Sequence, residues 1–477
     1  MGAAWLLAVG LFLGFRVLVP PVIGLADNGD GWRARFPFGL EPVLAEKQWP
    51  TYHHVILEHS YGKTWNPPYP TTELVFVGAA VALDRSLSDD GRFDLRWLGV
   101  VHLLAFLIAA GLVLTATRRL PPLARAITWA LLAFVLTDAA YAVYFNSFYT
   151  EPASLIGLLA TIGAAGLWLE RPGSLGRAGL LLGAALCFVG AKLQNVPLGL
   201  LLGGGLLAAT AFAPRGSGLP ACRRVFVGVG LALALLAFSS WMLARSPDFF
   251  RRQNLYNSVF HELLPHSPSP RADLEELGLD PELVRWSGTD AFAKGTGMEE
   301  PELVENFHGR ISQRHLLAFY LRHPMRLASL LVRAASKALP MRPAELGTRV
   351  AADGFPERSP AGGHAAWSDL KASLAPAALP VIGLVIAFGL LSPWLFRSIF
   401  RPRVTAPLAG LGIAAAAAFA IAVIGEGEYE LTRHLFTFHA LFDVLVVGSV
   451  GLGVAVLESR LASRREPSVR SGTLAGT

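Results

Sequence analysis

Apolar stretches close to 20 residues long alternate along the chain with polar connections. A helix needs about 20 mainly apolar residues to cross a bilayer. On that measure spans are predicted at roughly 3–26, 95–117, 122–145, 153–169, 174–191, 196–213, 223–244, 377–396, 405–424 and 436–457. The fold class that follows is all-α: a polytopic integral membrane protein of about ten transmembrane helices, with residues 1–477 as a single membrane domain. Thr72 to Leu83 is apolar but too short to span, which predicts an interfacial helix. Asp273 to Leu283 reads as a small helical piece, and Gln313 to Leu339 as amphipathic helices broken at His323-Pro324. Ala351 to Ser368, rich in Gly, Pro and Ala, reads as a flexible connection.

The connections sort by charge. Arg118, Arg119 and Arg125 share one, Arg171 and Arg177 the next of the same kind, then Arg215, Arg223 and Arg224, then Arg397, Arg401 and Arg403. A tail follows with Arg460, Arg464, Arg465 and Arg470. Every second loop is basic, which assigns this set and both termini to the cytoplasm. The opposite face receives a first extracytoplasmic loop (27–94), rich in aromatics and Pro (Trp49, Tyr52, Tyr61, Trp65, Pro67, Pro68, Tyr69, Pro70). It also receives the turn 146–152, the turn 192–195, a large loop (245–376) and the stretch 425–434.

Composition agrees. The chain is 53% hydrophobic with mean hydropathy +0.46, a profile of membrane proteins. A net charge of +6 and a pI near 9.5 do not point to nucleic acid, because the basic residues flank apolar runs. Cys187 and Cys222 lie within or beside apolar runs, which supports neither a disulfide framework nor a zinc site. No Lys or Arg precedes Arg16 and the first apolar run is long for a signal peptide, so a retained first helix is expected.

Polar clusters gather where apolar runs reach the outer face. Asp27-Asn28-Gly29-Asp30-Gly31-Trp32-Arg33 puts two carboxylates at the end of the first run. It is either a ligand-facing bend or a helix end with an Asx turn. Glu151 stands in a two-helix turn with no basic neighbour in sequence. Lys192, followed by Gln194 and Asn195, either snorkels or supplies a positive charge at headgroup depth. In Gly425–His434, three acids precede Arg433-His434. Arg433 offers a planar fork for phosphate, or pairs with a glutamate of its own loop. Arg16 and Asp138 fall inside predicted spans, where a lone charge costs about 2.5–3.5 kcal/mol, so they are expected to pair with each other. No P-loop, post-strand GxGxxG, HExxH or hydrolase-type GxSxG occurs, which argues against an ATP-driven pump and soluble-type hydrolases.

The first helix with its acid-opened loop, the turn Phe145-Asn146-Ser147-Phe148-Tyr149-Thr150-Glu151-Pro152 and the late Arg433-His434 resemble the GT-C superfamily of membrane glycosyltransferases. Asn254–Phe260 followed by Leu274–Leu279 is similar to bacterial cell-surface-glycan hexose transferases of the WsfD type. The resemblance implies an inverting hexosyltransferase with an extracytoplasmic active site, drawing on a polyprenyl-phosphate sugar donor and a glycan or glycolipid acceptor. It implies Asp27 or Asp30 as general base, Glu151 to orient the acceptor or a cation, and Lys192, Arg433 and His434 on the donor phosphate. Family members often carry adjacent acids in this loop, whereas two residues separate Asp27 from Asp30, so the choice of base stays open. No WWD motif occurs, so no metal ligand is assigned, although a divalent cation remains compatible. The rivals are a transporter or flippase of polyprenyl-linked glycan and a non-catalytic membrane scaffold.

Overall fold

The computed structural model describes residues 1–44, 52–67, 69–88, 90–211, 221–292, 295–296, 298, 300–400 and 402–465. Of the positions singled out above, Trp49, Pro68, Arg215, Arg401 and Arg470 lie outside the described residues. Among the described residues six helices are long and apolar enough to cross a membrane: Arg96–Ala116, Glu151–Glu170, Cys222–Ala244, Ala375–Leu395, Thr405–Gly425 and Phe436–Ala462. The predicted span 122–145 is broken, with Pro122–Leu136 and Ala139–Asn146 bent by 57°. Gly2–Leu18, Leu175–Ala191 and Leu193–Ala208 are apolar but shorter. Among the described residues each of the ten apolar runs therefore contains helix, in the form of six long helices, one broken pair and three shorter helices. At about 1.5 Å per residue, 17 residues rise about 26 Å, less than a hydrocarbon core of about 30 Å.

Glu151–Glu170 lies at the centre, buried along most of its length between Arg96–Ala116 and Leu175–Ala191. A Cβ on Gly157 would stand 2.5 Å from the Phe188 backbone nitrogen, so the short Gly-rich helix approaches closely because a hydrogen replaces a side chain. Helices return to the same end in alternation. At one end Glu170 meets Arg118, Arg119 and Arg177, at 3.8, 3.3 and 3.1 Å. The other end carries the long loops.

Those loops are folded. The helix expected at Thr72 to Leu83 runs from Glu73 to Leu87, and the break at His323-Pro324 separates Gln313–Arg322 from Pro324–Ser336. The expected piece at 273–283 divides into Pro270–Glu276 and Pro281–Trp286. An all-α reading missed a small antiparallel sheet in the first loop, Leu40–Pro42 with Glu58–Tyr61 and Glu58–Tyr61 with Arg92–Asp94. Strands of three or four residues are too short to show alternation above noise.

The first helix ends at Leu18 rather than running to residue 26, because Pro20 and Pro21 cannot continue it. Arg16 consequently sits in the last helical turn, and the expected ion pair with Asp138 does not form. Its guanidinium donates instead to carbonyls of Thr137 (3.1 Å), Gly362 (2.7 Å) and His364 (3.4 Å). Asp138 caps the helix after the break, accepting from Ala140 N at 2.9 Å, and takes Trp367 N and Ser368 N at 3.0 Å each. Both charges thus have their hydrogen bonds supplied by the backbone while staying within electrostatic reach of each other, and both bind the 362–368 segment, which the sequence reads as a flexible connection. Arg16→Met and Asp138→Asn should each lower the folded yield in size-exclusion profiles, and exchanging the two residues should not restore it. Recovery in the exchanged variant would reinstate the direct pair.

A third buried charge cluster carries no signal in the sequence beyond an acid in an apolar run. Asp443 accepts from Lys371 Nζ (2.7 Å), Tyr141 Oη (2.7 Å) and Trp367 Nε1 (2.8 Å), and Lys371 also meets His439 Nδ1 at 3.1 Å. Asp443 is fully buried and Lys371 nearly so. The cluster pins the short helix Ala366–Ser373 onto the last span.

Candidate active site

The chain leaves the first helix in an extended course held by other segments. Leu25 N donates to Asn146 O (3.3 Å) and Ala26 N to Gly347 O (2.9 Å), while Asn146 Nδ2 donates to the carbonyls of Val17 and Ile23. Asn146, from the predicted turn 146–152, therefore belongs to the frame that fixes the acid-bearing loop. Tyr149 Oη completes it, accepting from Asn28 N at 3.0 Å.

The two aspartates are held differently. Asp27 Oδ1 accepts from the backbone N–H groups of Gly29 (2.8 Å) and Gly31 (2.9 Å), the turn that polar residues make beside their own backbone. Its other oxygen lies 3.5 Å from Arg35 Nε. Asp30 turns towards charge instead. Arg33 reaches one of its oxygens at 2.6 Å, and Arg433, 403 residues away, binds the other. Burial alone would raise the Asp30 pKa. Arg433, with Arg33 and His434, more than reverses this and holds the carboxyl well below the usual carboxylate range.

Arg433 is buried, and its fork is shared. One arm holds Asp30, and the other reaches Glu430 Oε2 at 2.5 Å. The pairing with a glutamate of its own loop thus exists alongside a partner the sequence does not suggest. Burial works against the Arg433 cation, but Asp30, Glu430 and Glu151 raise its pKa well above the ordinary value. Glu430 takes a left-handed conformation (φ 42°), uncommon for a residue with a Cβ, and is fixed there by Arg433 and by Asn28 Nδ2 at 3.4 Å. Upstream, Gly427 has φ 69°, and a Cβ there would stand 2.7 Å from the Glu262 Cβ. Only glycine lets the loop pass that close.

Lys192 Nζ binds Glu151 Oε1 at 3.0 Å, so two residues 41 positions apart form one pair. Glu151 is buried and begins the central helix. A hidden pair supports that helix start: His102 Nδ1 lies 2.9 Å from Phe145 O, and its Nε2 lies 2.8 Å from Glu73 Oε1. Because a carbonyl only accepts, Nδ1 carries a proton. Glu73 Oε2 in turn accepts from Ala153 N at 3.3 Å, one of the orphan donors of a helix N-terminus.

Asp30, Arg433 and His434 therefore meet directly or within electrostatic reach, and Glu151 with Lys192 stands within reach of Arg433. Asp27 stands beside them as a turn residue. Sequence reasoning missed Tyr149, Glu73 and His102 as parts of this site, and it offered an unspecified glutamate of the last loop where the structure places Glu430. Only Glu430 carried a usable signal, its spacing of three from Arg433. Arg433 also lies over the Tyr149 ring, 5.4 Å from its centroid. Among the described residues no group of three or more His, Cys, Asp or Glu side chains is placed to hold a metal ion.

No curated protein matches the chain significantly. A solved structure, the archaeal oligosaccharyltransferase AglB from Archaeoglobus fulgidus in complex with an inhibitory peptide and a dolichol-phosphate, aligns at a TM-score of 0.43 with 12% identity. That alignment takes in 100% of this chain and 52% of AglB, so the chain spans about half the length of the archaeal protein. Residues 3–470 match the family described as the YfdI N-terminal transmembrane domain, and by that match over nearly its whole length the chain belongs to this family.

Proposed function

We propose that this membrane protein is a GT-C type glycosyltransferase that moves a hexose from a polyprenyl-phosphate donor to a hydroxyl of a cell-surface glycan or glycolipid, on the extracytoplasmic side of the inner membrane. The carrying observation is a buried arginine fork shared by two carboxylates, with a second cation–carboxylate pair within its electrostatic reach, at one end of an apolar helical bundle. The narrower likeness to WsfD-type hexose transferases rests on Asn254–Phe260 and Leu274–Leu279 alone.

In this reading Arg433 is the donor-phosphate ligand. A phosphate offers the fork two oxygens in the geometry that Asp30 and Glu430 occupy separately. Its arrival displaces Asp30 from Arg433. The freed carboxylate keeps Arg33 but loses the larger of the two guanidinium contributions that depressed its pKa, and it becomes more basic and able to take a proton. The acceptor oxygen then attacks C1 of the hexose from the face opposite the phosphate, and the C1–O bond to phosphate breaks. The acceptor proton passes to Asp30, and polyprenyl phosphate leaves with its added charge facing Arg433, Lys192 and His434. Inversion at C1 follows. Asp27, whose Oδ1 takes two backbone donors, shapes the loop. Glu151 keeps Lys192 in position and orients the acceptor.

The test is purified protein in vesicles with radiolabelled polyprenyl-phosphate hexose and lipid-extracted acceptor. Label should move from the carrier lipid to the acceptor. Donor that crosses the bilayer with its sugar still attached would identify a transporter and overturn the proposal.

A further inference from the structure

Phe292 is 56% exposed, yet it stands on a tightly built loop. Gly288 N donates to Phe260 O at 2.7 Å, Ala291 N to Asn257 Oδ1 at 2.8 Å, and Phe292 N to Asp290 Oδ1 at 2.8 Å. Thr289 Oγ1 is bonded to Trp286 O and to Tyr256 Oη, both at 2.6 Å. The loop's anchor, Asn257–Leu263, is a π-helical segment, a form enriched at functional sites. An exposed aromatic ring costs least when it is left to move; here backbone and side chain hydrogen bonds hold its base.

The Phe292 ring lies nearly parallel to that of Tyr429, with centroids 5.4 Å apart and planes at 22°, while His261 meets Tyr429 edge-on at 5.7 Å. Tyr429 precedes Glu430 directly and lies within electrostatic reach of Glu430, Asp290, Arg433 and Asp30. The exposed ring is thus backed by a second ring, whose chain neighbour Glu430 binds Arg433 and which has Asp290 and Asp30 within electrostatic reach. A lipid tail is a poor occupant, because ionised groups are expensive at hydrocarbon depth. A pyranose fits both features. One face of the sugar ring presents weakly positive C–H groups to the negative face of an aromatic ring. Its rim presents hydroxyl donors that carboxylates accept.

We propose that Phe292, backed by Tyr429, is a stacking platform for a pyranose ring on the Tyr429–Glu430 side of the Asp30–Arg433 pair. The substrate class rests on the glycosyltransferase reading; the platform itself is tested separately from it. The ring is either the hexose of the donor or the terminal sugar of the acceptor, and kinetics distinguish the two.

The first measurement is saturation-transfer NMR on the full chain in detergent, with methyl glucopyranoside, galactopyranoside and mannopyranoside as probes. Wild type should saturate the ring C–H protons of at least one glycoside. Phe292→Ala and Phe292→Leu should lose that signal and Phe292→Tyr should keep it, because stacking needs a π face rather than apolar bulk. Phe226→Ala, which removes an exposed ring on another helix, should change nothing. In transfer assays Phe292→Ala should raise one KM by about 3- to 10-fold with kcat nearly unchanged. A raised donor KM places the donor hexose on the platform, and a raised acceptor KM places the acceptor there. No glycoside saturated by wild type, or saturation and both KM values unaltered in Phe292→Ala, overturns the platform. So does a Phe292→Ala variant whose sole change is weaker partition into vesicles. Wild type that binds glycosides but transfers no sugar leaves the platform standing and removes the transferase reading.

Discussion

Asp30→Asn is expected to bind the lipid-linked donor at least as well as the unmodified protein and to transfer its sugar about 10²–10⁴-fold more slowly. The neutral amide keeps the shape of the side chain and removes its capacity to take a proton. It also removes the carboxylate that competes with phosphate for Arg433, so binding should hold or tighten. Asp27→Asn provides the contrast. An amide oxygen can still accept from Gly29 and Gly31, so transfer should fall far less. Equal transfer rates in Asp30→Asn and the unmodified protein would remove Asp30 from the chemistry. The pH profiles carry the same argument with a definite sign. Arg433 holds the Asp30 carboxyl below the usual range in the free protein, so kcat/KM should persist into mild acid and fall only at lower pH. Once donor phosphate takes the arginine, Asp30 regains basicity, and the acid limb of kcat should appear at higher pH. Coincident limbs would show that the donor does not displace Asp30.

The second large effect lies at Arg433. Arg433→Lys keeps one positive charge but supplies a point ammonium where a planar fork spans Asp30 and Glu430. Losing a charge-assisted hydrogen bond costs about 1.5–3 kcal/mol, so donor Kd should rise on the order of tenfold to a hundredfold. Arg433→Ala is the harsher variant, because it leaves two partly buried carboxylates without their common cation. Removing one partner of a buried pair costs about 3–5 kcal/mol, so this variant should also unfold at lower temperature. Titrating labelled donor beside a thermal-unfolding measurement separates the two effects. Donor affinity indifferent to both substitutions would take Arg433 out of the phosphate site.

The positions of the helices were legible because hydrophobicity is a local property: most apolar runs appear as helix within a few residues of their predicted bounds. The exceptions had local causes that the runs concealed. Pro20-Pro21 ends the first helix early, and Asp138 caps a break inside the third run. The ends of the runs also located Asp27, Asp30, Glu151, Lys192 and Arg433, since polar residues collect where an apolar segment meets water. What these residues do to one another was not legible. The sequence offered Arg16 and Asp138 as partners because each looked stranded, yet backbone groups supply the hydrogen bonds of both and the two interact only at a distance. It gave no hint that Lys371 answers Asp443 or that Glu73 answers His102.

Apolar periodicity and loop charge are enough to identify a helical membrane domain with most of its acids and arginines at the ends of apolar runs. That Asp30 meets Arg433 while Asp27 is held by its own turn, and that Lys192 is spoken for by Glu151, emerges from the packing of distant segments. Burial of an apolar run depends on its own composition, whereas neutralisation of a buried charge depends on which distant helix ends come together.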